Sequence, residues 1–127
     1  MAQESHVSSR LSFNQAIEKV KAQINAECFQ SNWFFAEELF FIIAEVYMMN
    51  DDKPVIVAGE NLEGYVVKQV FEQLREENLE FVMSNFQKMT HPISFKKAYL
   101  RTALYNSVFE LTAHIENLIS VESKKRK

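Results

Sequence analysis

Lys96, Lys97 and Arg101 stand within six positions of one another, with Tyr99 between them and Tyr105 and Asn106 following. Cations so spaced neutralise phosphates, and phenol rings stack on bases, which is how single strands are held without sequence readout. The same cations fit an acidic protein surface equally well. The alternative is a solvated rim, with both tyrosine rings packed at the edge of a core. Other chemistries find less support. One cysteine (Cys28) and three distant histidines (His6, His91, His114) do not make a zinc site, and no Glu-x-x-His pair offers a di-iron site. Glu110 and His114 lie four apart and read as a surface pair. Gly59 and Gly64 match no phosphate-binding loop. Glu37, Glu38, Glu45, Glu76, Glu77 and Glu80 read as solvated helix faces rather than paired acids and bases. No catalytic residue, metal or cofactor is expected, and the chain reads as non-enzymatic.

The elements that must position these residues are helical. Two glycines and two prolines in 127 residues are too few for a strand-and-turn fold, while 47% hydrophobic residues can build one core. Ser12 with Gln15 forms a capping box before a first helix over 13–26, with Phe13, Ala16, Ile17, Val20 and Ile24 at helical spacing. A second helix begins after Asn32, its expected cap, and is apolar on nearly every side, so it should be surrounded by the others. Consecutive aromatics cannot all face inward, which leaves Phe34, Phe41 and Met48 as candidates for a partner surface; a helix sandwiched between two layers is the competing reading.

Val55-Ile56-Val57 reads as one short extended piece, turned by Gly59–Asn61. A lone strand leaves backbone groups unpaired, so it is irregular or pairs with another chain. A third helix over 63–75 points Val66, Val67, Val70, Phe71 and Leu74 inward, and Leu79, Val82, Met83, Phe86 and Met89 mark a fourth. His91 and Pro92 halt it, and Ser94 is placed to cap a fifth helix, over 94–106, with Leu100, Ala103 and Leu104 as its apolar stripe. A sixth helix, or a bent continuation, carries Val108, Leu111, Ile115, Leu118 and Ile119. The expected architecture is a compact all-α bundle of five or six helices with at most one very short strand. A disordered lead (1–11) precedes the helical domain (12–121), and a basic tail (122–127) follows it.

Ile93 and the run Lys97-Ala98-Tyr99-Leu100-Arg101-Thr102-Ala103-Leu104-Tyr105-Asn106 resemble the signature helix in the C-terminal domain of RepA-type plasmid replication initiators of Gram-positive bacteria. More distantly, the run is similar to the C-terminal domain of DnaD-type primosome proteins. Val55–Gly59, Val66-Val67-Lys68 with Phe71, and Leu79–Val82 extend the resemblance upstream. Ser107 departs from both, standing where the DnaD pattern has tryptophan and the RepA group a proline-containing break. The resemblance implies a DnaD-like helical fold and a replication module of a plasmid or mobile element. Such a module contacts primase or a helicase loader, with single-stranded DNA as a further ligand.

Net charge is −3, yet Lys124-Lys125-Arg126-Lys127 carries +4, so the remainder stands at −7. An acidic body is not the footprint of a strong duplex binder. The alternative function is therefore a dimerising scaffold or small protein inhibitor without a nucleic-acid role, and a homo-oligomer stays open. Cysteine usage and the absence of a signal-like start fit the cytoplasm, and the glutamates within the greasiest segment exclude a membrane span there.

Overall fold

The computed structural model describes residues 11–90 and 92–125, and side chains as far as Ile119 except His114, Ile115 and Asn117. The expected lead lies outside these residues but for Leu11, as do His6 and His91.

Helix α1 spans Phe13–Gln23 and starts as its sequence dictates. The Ser12 hydroxyl accepts from the Gln15 N–H at 3.2 Å, and the Gln15 side chain accepts from the Ser12 N–H at 2.9 Å. It ends three residues earlier than expected. The Asn25 side chain accepts from the Glu27 N–H at 3.0 Å and opens a tighter 3-10 segment, Ala26–Asn32. Phe29 is buried within it, whereas its neighbour Cys28 is exposed.

Helix α2, Trp33–Met48, is the centre of the molecule. It buries Ala36, Leu39, Phe40, Ile42, Ile43, Ala44, Val46 and Tyr47, as an all-round apolar helix must. Each large side chain so buried contributes roughly 1.5–3 kcal/mol. Asn32 makes no side-chain capping bond.

The expected single strand is one arm of a hairpin. Strand β1, Pro54–Val57, pairs antiparallel with β2, Glu60–Glu63, from Pro54 opposite Glu63 to Val57 opposite Glu60. Its partner is thus within the chain. The second strand, Glu-Asn-Leu-Glu, shows neither β-branched residues nor apolar alternation, so no pattern announces it. Positive φ at Ala58 (54°) and Gly59 (79°) marks the primed two-residue turn that suits twisted strands. The Ala58 N–H donates to Thr102 Oγ1 at 3.1 Å and ties the hairpin tip to the last helix.

Helix α3 covers Gly64–Phe71, shorter than expected, and α4 covers Glu76–Gln87. The buried Tyr47 hydroxyl bonds to the Gln23 side chain and the Phe71 carbonyl, and the Gln23 amide donates to the Phe71 and Leu74 carbonyls, both at 2.9 Å. The ends of α1 and α3 are therefore joined through a residue of α2. Desolvation pushes the Tyr47 pKa well above its ordinary value, so it remains a neutral donor.

The fifth and sixth expected helices are one: α5 runs unbroken over Lys96–Lys125. Its first helical bond, from Tyr99 N–H to Phe95 carbonyl, puts the boundary one residue past Ser94. Asn106 is not a terminus, and the helix takes in residues 122–125, which the sequence assigned to a tail. Ser107 explains the continuity. It is fully buried, its hydroxyl donates to the Leu104 carbonyl at 2.7 Å, and it accepts from buried Asn78 of α4 at 3.3 Å. A small polar residue lets α4 lie close against α5 here. Among the described residues the fold is mainly helical, five α-helices with one small hairpin. No described helix is long and apolar enough to cross a membrane.

Candidate docking groove

A concavity with a volume of about 450 Å³ lies between α1 and α2. Phe13, Phe34, Phe41 and Ile42 supply its apolar surface, Glu37, Glu38 and Glu45 its acidic side, and Lys97 of α5 reaches its edge. Phe34 is 89% exposed, and Phe13 packs a tilted ring on Phe41 at 5.6 Å between centroids. Phe13 occupies the first position of α1, beyond the reach of the core that covers Ala16 and Val20. Its expected place on the core face is corrected: helical spacing gives the face, but not where along the helix the core ends.

The predicted site residues do not form one surface. Lys97 pairs with Glu45 at 2.6 Å and Lys96 with Glu38 at 3.0 Å, so adjacent lysines of α5 are stapled to carboxylates two turns apart on α2. Lys96 also sits over the rings of Phe35 and Phe86, at 5.6 and 5.3 Å. All four charged groups are roughly half exposed, so each pair contributes about 0–1 kcal/mol and can exchange partners.

Tyr99 is half-buried against Phe86 at 6.2 Å, the ring that Lys96 also covers. With Asn106, Thr102, Asn85 and Glu110 it lines a smaller cleft of about 170 Å³ between α4 and α5. Tyr105 packs on Phe109 at 5.5 Å. Arg101 is half-buried, and its Nε is shielded from solvent without a hydrogen-bond partner. The three cations therefore make no continuous phosphate track. Of the expected partner residues, Phe34 and Phe41 meet in the groove, while Met48 is half-buried against the core and apart from it.

Sequence reasoning missed Phe13 and the acidic side. Glu38 and Glu45 read as a solvated face because their lysine partners are more than fifty positions away. The signal open to it was position: a large apolar residue in the first turn, beside a cap, is where a stripe outruns its core.

No three His, Cys, Asp or Glu side chains among the described residues are grouped to hold a metal ion. What the described fold and groove define is a small, mainly helical unit with an open apolar, acid-sided concavity. The chain belongs to the family of unknown function DUF6017, whose model matches residues 5–124. No curated protein and no solved structure matches it.

Proposed function

We propose that this chain is a non-enzymatic docking module of a plasmid or mobile-element replication apparatus, working in the cytoplasm and contacting a replication protein such as primase or a helicase loader through the α1–α2 groove. The observation that carries the docking role is the open groove with Phe34 almost wholly in solvent. The replication setting is supported by the resemblance of Ile93–Asn106 to the RepA and DnaD helices. A direct role for single-stranded DNA is secondary, because phosphate must first displace Glu38 and Glu45 from Lys96 and Lys97.

The test is affinity capture from host lysate with the wild type and with Phe34→Asp/Phe41→Asp, both exposed positions whose change leaves the core intact. The wild type should retain a replication protein that the variant loses. Retention of the same proteins by both would overturn the docking role, and a captured partner unconnected with replication would overturn the setting. A dimerising scaffold is the second reading, favoured by apolar side chains left uncovered on the distal half of α5.

A further inference from the structure

Helix α5 outruns the bundle. Leu100, Leu104, Ser107 and Val108 are buried, but beyond Val108 every described side chain is exposed except half-buried Leu111. Leu118 and Ile119 are 53% and 62% exposed. Leu104, Leu111 and Leu118 recur every seven residues, so the stripe that enters the core continues along one side of the arm, half-covered at Leu111 and exposed at Leu118. The arm ends in Lys124 and Lys125, with Arg126 and Lys127 next in sequence.

The groove is complementary to this arm in three respects. Its apolar surface meets the arm's leucines. Its acidic side suits the arm's basic end, through Glu37, which forms no ion pair among the described residues, and through Glu38 and Glu45 where their half-exposed pairs exchange partners. Its two principal phenylalanines, Phe34 and Phe41, are seven residues apart, as are Leu111 and Leu118, so both sets repeat at about 10 Å along a helix. The arm over 110–125 is about 24 Å long, and the groove from Phe34 to Glu45 is about 16 Å.

The arm cannot reach the groove of its own chain. Lys97 stands at that groove, and Leu118 lies 21 residues further along the same unbroken helix, about 31 Å away. The residues before Leu11 are mostly polar, which suits an apolar groove poorly. Resting on the docking role of the groove, we infer that a second copy of this chain lays the distal arm of its α5 in the α1–α2 groove. The exchange is reciprocal, giving a closed dimer in which each groove is masked by the other copy's arm. A heterologous partner must then compete with that arm.

Two full-length variants test this, one in the arm (Leu118→Asp/Ile119→Asp) and one in the groove (Phe34→Asp/Phe41→Asp). All four positions are exposed, and circular dichroism checks that helix is retained. Sedimentation equilibrium from about 1 to about 500 µM should show a concentration-dependent dimer for the wild type, and at least about tenfold weaker association for either variant alone. Mixed in equal amounts, the variants should associate again. The intact arm of one meets the intact groove of the other, a junction neither variant can make with itself.

A wild type that stays monomeric overturns the inference. So does a variant that associates like the wild type, or a mixture no better than its parts, which would mean that like surfaces pair. Failure of the docking role is distinguishable. If the variants complement each other but the groove variant captures the same lysate proteins as the wild type, heterologous docking at the groove falls and self-docking stands. If they fail to complement while only the groove variant loses its partner, the reverse holds.

Discussion

Replacing Ser107 tests how α4 and α5 are joined. Ser107→Ala removes the oxygen that accepts from Asn78 Nδ2 at 3.3 Å, in a place where Asn78 is only 7% exposed and water has little access. Asn78 keeps its other bond, since its Oδ1 still accepts from the Arg75 N–H at 2.9 Å at the start of α4. One amide donor is orphaned rather than a whole side chain. The cost should therefore fall at about 1–2 kcal/mol, the lower part of the range for an unsatisfied buried group. Ser107→Trp acts through volume. The site is fully buried, and an indole exceeds by far the few methylenes whose insertion costs about 1–3 kcal/mol. It should push the helices apart and unfold the domain or nearly so. Urea unfolding followed by circular dichroism measures both, with the slope checked for two-state behaviour. A double cycle with Asn78→Ala should show coupling above about 0.5 kcal/mol. Wild-type stability in Ser107→Trp, or a change below about 0.3 kcal/mol in Ser107→Ala, would refute the joint. The position bears on the resemblance too. A tryptophan in the DnaD register has no room here, so a DnaD-like helix would need a different seat against its neighbour.

A Cβ on Gly64 would run into the Asn50 carbonyl oxygen and stand 3.1 Å from that of Lys53, both backbone, so Gly64→Ala should destabilise by about 1–3 kcal/mol despite its better helix propensity; a neutral result in urea unfolding would contradict the close approach. Ala58→Gly should stabilise by about 0.5–1 kcal/mol, because alanine at φ 54° carries a left-handed penalty that glycine escapes, and a loss of stability would refute the primed turn. The Glu76 carboxylate accepts from the Asn25 N–H at 2.6 Å, and this bond holds its pKa below the ordinary value. Its stabilising share is present above the unfolded-state pKa and is lost as pH falls through the folded one. Acidification from about pH 6 to about pH 3 should therefore weaken the wild type more than Glu76→Gln, and equal losses would show that the bond carries no linkage.

The helical core could be read from the sequence because burial along a helix repeats with a fixed period. Val20, Phe71, Leu74, Leu79 and Leu104 all sit at expected inward positions and are buried. The second strand could not be read, because Glu60–Glu63 has no pattern of its own and pairs only by virtue of the turn before it. Nor could the groove. Lys96 and Lys97 read as cations for a phosphate backbone, an acidic partner or a solvated rim, and Glu38 and Glu45 as a solvated acid face, each from its own stretch. Packing α5 across α2 makes each set the other's partner, at a separation no local spacing encodes. The consequence is electrostatic. Paired and half-exposed, these charges stabilise the fold little, but they cancel locally and leave the phenylalanines as the stronger attraction at the groove. A partner that brings apolar side chains first and cations second can use that surface without breaking either pair, as Glu37 is also in the groove and forms no ion pair among the described residues. A phosphate backbone has to break both.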